Sequence, residues 1–102
     1  MVTTTSGGVI GAEADGVVSF RSIPYAEPPV DALRFARPRP HPGWSAALDT
    51  TMTDPTIACP QLDRMSGEMR GQENCLVLNA YAPAGADDRP VMVFVHGGGF
   101  TG

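Results

Sequence analysis

The chain has 102 residues, a formal net charge of -4 and a sequence pI ≈ 4.8. Its seven Lys and Arg residues are scattered, which excludes the concentrated basic face that a nucleic-acid partner requires, and no apolar run approaches the roughly 18 residues that cross a bilayer. The hydrophobic share of 42% is that of a globular chain rather than a disordered one, while 12 Gly and 10 Pro predict turns and extended segments in place of packed helices.

The N-terminus, Met1-Val-Thr-Thr-Thr-Ser-Gly-Gly8, has neither the positive n-region nor the apolar h-region of a signal peptide, so a cytoplasmic location is expected. From Gly8 to Ile23 the pattern predicts two short strands. Val9 and Ile10 lie in the first, and Val17, Val18, Phe20 and Ile23 in the second. Ala14-Asp15-Gly16 is the turn between them, since Asp-Gly between apolar runs is a strong hairpin signal. Pro24-Tyr-Ala-Glu-Pro-Pro29 should be extended and irregular, because proline fixes φ and cannot donate to a ladder. Pro38, Pro40 and Pro42 carry that character on to Trp44.

Residues 45–58 show no period. Residues 60–74 are polar, contain Gly67 and Gly71, and read as a surface loop. Cys75-Leu-Val-Leu-Asn-Ala-Tyr81 reads as a strand closed by Pro83-Ala-Gly85, and residues 86–90 as a connection. Val91 to Val95 is five apolar residues without alternation, the signature of a strand buried on both faces. Such a strand needs layers on both sides, and no amphipathic helix is legible to supply them. The chain is therefore expected to be the N-terminal piece of one larger domain.

Cys59 and Cys75 stand 16 residues apart. A bridge between them would stabilise by roughly 3 kcal/mol in the chain-entropy picture, whereas a cytosolic setting keeps thiols reduced. No His or third Cys stands at metal-ligand spacing, so zinc is not expected.

The strand Val91–Val95 runs into His96-Gly97-Gly98-Gly99-Phe100. Three readings compete for the glycines. In the first, they form an oxyanion loop: lacking Cβ atoms, they let adjacent N–H groups converge on a developing negative charge. In the second, Gly97-x-Gly99-x-x-Gly102 matches the dinucleotide-binding pattern, but the helix and acidic residue that pattern needs are not present. In the third, the run is an ordinary flexible turn.

The rest of the chain weighs on that choice. Ser22-Ile-Pro-Tyr-Ala-Glu-Pro-Pro29, then Leu33-Arg34-Phe35, Pro42-Gly-Trp44, Glu73-Asn-Cys75-Leu-Val-Leu78-Asn79 and His96-Gly-Gly-Gly-Phe100 resemble, block by block and in order, the N-terminal region of type-B carboxylesterases. That family includes bacterial para-nitrobenzyl esterases and the cholinesterases. The resemblance implies the N-terminal part of an α/β-hydrolase fold, with a small antiparallel hairpin followed by the first strands of a large mixed sheet. It implies a serine carboxylic ester hydrolase acting on small-molecule esters without a cofactor or metal.

Residue by residue, it implies Gly98 and Gly99 as oxyanion-hole donors and Gly97 as the residue that shapes the turn. Arg34 and Glu73 match a structural salt bridge, against the plainer reading of two solvated charges. Cys59 and Cys75 match a disulfide around a loop near the gorge, and two free thiols remain the other reading. Asn74, Val77 and Asp31 depart from the family's Asp, aromatic and Gly, and none of them touches the glycine loop. Residues 59–75 contain no Trp, the residue with which cholinesterases hold a quaternary ammonium, so a choline ester is not the expected substrate.

His96 reads as part of the loop's framework, because the triad histidine of this fold follows the nucleophile. His41, between two prolines, reads as solvent-facing. No G-x-S-x-G elbow occurs, so nucleophile, base and acid are all absent from these residues and the 102-residue chain alone is expected to be inactive. A non-catalytic relative serving in binding or adhesion is the alternative.

Overall fold

The computed structural model describes residues 1–51 and 57–99. Among them lie eight strands and one 3-10 turn, Asp31–Leu33. The strands are β1 (Val2–Thr4), β2 (Gly7–Ile10), β3 (Ala12–Ala14), β4 (Val17–Pro24), β5 (Leu48–Asp49), β6 (Gln61–Leu62), β7 (Met69–Arg70) and β8 (Val77–Pro83). They form three small sheets in the orders β1-β2-β5, β3-β4-β8 and β6-β7.

The Asp-Gly turn forms where its chemistry predicts. Asp15 and Gly16 take φ of 53° and 77° between the register pair Ala14↔Val17. Two successive positive φ values make this a type I′ turn, whose twist matches that of the flanking strands. The predicted first strand divides at Gly11. Val9 and Ile10 go to one sheet with β1 and β5, and only Ala12–Ala14 forms the hairpin arm. A Cβ at Gly11 would stand 2.7 Å from the Phe20 ring, so only glycine lets Phe20 lie against the chain where it changes sheets.

β4 then pairs antiparallel with β8 from Val17↔Pro83 to Pro24↔Val77, with a bulge between Phe20 and Ile23. Ser22 sits in the bulge at φ 62°, and its N–H donates to Asn79 Oδ1 at 2.9 Å. The bulge leaves a backbone donor outside the ladder, and the Asn79 amide satisfies it from the facing strand. Pro24 is tolerated because it ends its strand.

The core is small. Val9, Phe20 and Ala26 are buried, together with Thr50. Thr50 joins the two larger sheets: its N–H and Oγ1 both donate to the Ile10 carbonyl, at 2.9 and 2.7 Å, and its own carbonyl accepts from Arg21 N at 3.0 Å. Trp44 closes the opposite flank, where Nε1 donates to the Gly8 carbonyl at 2.6 Å and its backbone N–H to Ser6 at 2.9 Å.

Two expectations are corrected, and a third has no counterpart among the described residues. Residues 60–74 are exposed as predicted, apart from the half-buried Asp63 and Glu73, yet they contain the β6–β7 hairpin. His41 is half-buried, not solvent-facing: its Nδ1 accepts the Gly43 N–H at 3.0 Å and its ring meets Trp44 edge-on at 5.6 Å. Val91–Val95 pairs with no strand among the described residues and lies open, with Met92 93% exposed. A run patterned for burial on both faces finds here no sheet neighbour and no covering layer.

Candidate functional site

The glycine loop leaves β8 through a tied corner. Ala84 N donates to the Gly16 carbonyl at 2.8 Å and Ala86 N to Pro83 at 3.0 Å, so the turn after β8 is anchored to the Asp15–Gly16 turn. Beyond Pro90 the apolar run leads to His96. There Nδ1 donates to the Gly97 carbonyl at 2.9 Å, because a carbonyl can only accept. That bond consumes the imidazole's proximal N–H in holding its own loop.

Gly98 takes φ 145° and Gly99 φ 59°. A side chain at the first value collides with its own backbone, and at the second is disfavoured for most residues. No atom lies within 4 Å of where a Cβ would stand on Gly97 or Gly99. The conformation, rather than crowding, therefore calls for glycine at Gly99.

The other candidate residues gather elsewhere, around the second cysteine. Cys59 and Cys75 are bonded, with Cα atoms 5.1 Å apart. Arg34 Nε meets Glu73 Oε1 at 2.9 Å, with side chains 61% and 41% exposed. This pair ties the segment after the 3-10 turn to the residue two before Cys75, and the Cys75 N–H donates to the Glu73 carbonyl at 2.9 Å. Arg34 also lies 5.4 Å from the Phe35 ring. The structure thus brings Arg34, Glu73, Cys59 and Cys75 into one cluster.

Inside the bridged loop, Asp63 organises the chain. Its Oδ1 accepts the N–H of Met65 at 2.9 Å and of Ser66 at 3.4 Å, and its Oδ2 meets Arg70 at 3.0 Å. These donors hold its carboxyl below the usual carboxylate range, the Met65 N–H most of all. Asp49 is lowered likewise, by the Thr51 hydroxyl and then the Thr51 N–H. Neither role of Asp63 nor that of Asn79 was drawn from the sequence. For Asn79 a signal existed, since it closes the Glu73–Asn79 block.

Among the described residues no group of three or more His, Cys, Asp or Glu side chains stands where it could hold a metal ion. No helix among them is long and apolar enough to cross a membrane.

The family model of the carboxylesterase family matches residues 1–102. Phenmedipham hydrolase of Pseudarthrobacter oxydans is 40% identical over 94% of this chain and 21% of its own length. Para-nitrobenzyl esterase of Bacillus subtilis is 41% identical over 98% and 21%. A solved PNB esterase superposes with a TM-score of 0.81 at 42% identity, covering 98% of this chain and 20% of that one. The chain thus spans about a fifth of the length of the curated relatives it matches, and its backbone follows that of the solved PNB esterase over the matched part. It belongs to the carboxylesterase family.

Proposed function

We propose that the polypeptide containing these residues is a serine carboxylic ester hydrolase of the α/β-hydrolase fold, and that this segment is its N-terminal part and supplies the oxyanion loop. The observation that carries the reading is the backbone at Gly98 and Gly99, both at positive φ two and three residues after His96, in a chain that matches the carboxylesterase family along its length.

Ester hydrolysis passes through tetrahedral species in which the former carbonyl oxygen carries a negative charge. Backbone donors already oriented towards that oxygen stabilise it without reorganising as the charge appears. In this reading the N–H groups of Gly98 and Gly99 are two such donors, and Gly97, braced by His96, turns the chain into place. A serine activated by histidine attacks the ester carbonyl and the alcohol leaves. Water then hydrolyses the acyl-enzyme through a second oxyanion in the same hole. Serine, histidine and acid all come from residues outside this segment, whose sequence holds no G-x-S-x-G.

Turnover of a p-nitrophenyl ester by the intact polypeptide tests the reading. Gly98→Ala keeps the N–H but cannot keep φ 145° without strain. The donor should therefore turn away and kcat should fall by up to roughly 10²–10³, the loss typical of one oxyanion donor, with little change in KM. The isolated 102-residue chain should match a denatured control. A folded Gly98→Ala variant with full kcat would remove the loop from the chemistry, and an inert intact polypeptide would remove the enzyme.

A further inference from the structure

The Cys59–Cys75 bridge closes a segment that has almost nothing else to hold it. Among the described residues β6 and β7 pair only with each other, through Gln61↔Arg70 and Leu62↔Met69. None of these four side chains is buried, and Leu62, Met65 and Met69 are 59%, 98% and 70% exposed. The other contacts among the described residues are local: Asp63 N to the Glu68 carbonyl at 2.8 Å, Gly67 N to Asp63 at 2.7 Å, Gln72 N to Ala58 at 2.8 Å, the Met65 and Ser66 N–H groups on Asp63 Oδ1, Glu68 N to Ser66 Oγ at 3.3 Å and the exposed Arg70–Asp63 pair. A two-stranded hairpin without a core is marginal in water, and an exposed ion pair adds little. Loop closure by the disulfide outweighs both.

Among the described residues nothing covers the bridge fully, since Cys59 is exposed and Cys75 half-buried. From these observations we propose that Cys59–Cys75 is a reducible latch: bonded, it keeps residues 60–72 ordered, and opened by a cellular dithiol, it releases them as a flexible segment while the β3-β4-β8 sheet stays intact. The inference does not depend on the esterase reading.

The chemistry balances with a dithiol as reductant. Its thiolate attacks one sulfur of the bridge and expels the other as a thiolate, which takes up a proton. The reductant's second thiol, deprotonated, then attacks the mixed disulfide, freeing the remaining cysteine and leaving the reductant as its own disulfide. Two electrons and two protons pass to the protein. An oxidising compartment keeps the latch shut and a reducing one opens it.

Hydrogen exchange on the intact polypeptide, with and without dithiothreitol and with free thiols counted by alkylation, tests the latch. Two new thiols are expected. Exchange at the Asp63, Gly67 and Gln72 amides should then rise by roughly a hundredfold, the factor that closing a loop of this length supplies, while the β4–β8 amides keep their protection. The double variant Cys59→Ser, Cys75→Ser should match the reduced protein. Retained protection at Asp63 and Gly67 after reduction would overturn the proposal. So would equal loss across β4–β8, or a bridge that dithiothreitol leaves closed in the native protein.

Discussion

Thr50 meets Ile10 twice at one oxygen: the backbone N–H and the side-chain hydroxyl of Thr50 both donate to the Ile10 carbonyl, at 2.9 and 2.7 Å. Thr50 is 2% exposed, so water cannot replace either bond. The carbonyl of Thr50 accepts from Arg21, which makes this residue the junction between the sheet holding β2 and the sheet holding β4.

Thr50→Val keeps the volume and the backbone bonds and removes only the hydroxyl. The Ile10 carbonyl keeps one donor, so the loss should be that of a single hydrogen bond, about 0.5–1.5 kcal/mol. Denaturant midpoints of the intact polypeptide measure it, and Thr50→Ser should lose less than Thr50→Val.

Two glycines with similar φ should respond differently to alanine. Gly16 has φ 77° and open space where a Cβ would go, whereas Gly71, at φ 96°, would drive its Cβ into the Cys59 carbonyl. Gly16→Ala should cost about 1–2 kcal/mol, the left-handed penalty alone. Gly71→Ala adds a backbone collision at the neck of the bridged loop and should cost more. Thermal unfolding of both variants ranks them.

The hairpin should loosen in acid. The folded-state pKa of Asp63 lies below its ordinary value of 3.8. Its contribution is therefore complete above the unfolded-state pKa and is lost as pH falls through the lowered folded-state value. Protection of the Gly67 amide should thus fall below about pH 4. Asp63→Asn should flatten that dependence, since it no longer titrates.

Arg34 and Glu73 stand in good contact, yet both are well exposed. A double-mutant cycle with Arg34→Ala and Glu73→Ala should give a coupling below about 1 kcal/mol, shrinking as salt is raised towards 1 M. The value of the pair lies in where it ties the chain rather than in how strongly.

Local chemistry was legible. Asp15-Gly16 announced its turn because few residues accept two successive positive φ values. The apolar residues of β4 and β8 announced strands. The glycine triplet announced a turn, and Gly98 and Gly99 both take positive φ; family likeness brought Arg34 together with Glu73 and Cys59 with Cys75. β5 was not legible, because two residues carry no period and its parallel pairing with β2 is made across about forty intervening positions. Nor was the division at Gly11, which depends on where the Phe20 ring lies.

The amino-acid order on its own determined the turns, the strand-forming runs and the family, because these depend on backbone preference and on residues near one another in the chain. Only the tertiary structure decided which strands share a sheet, that Thr50 and Asn79 satisfy distant backbone groups, and that Asp63 rather than a core organises the bridged loop. Those outcomes rest on contacts between segments far apart in sequence, where hydrophobic pattern sets a tendency to be buried but not the partner. Val91–Val95 marks the difference most plainly: its composition calls for a buried strand, and burial requires neighbours that the described residues do not provide.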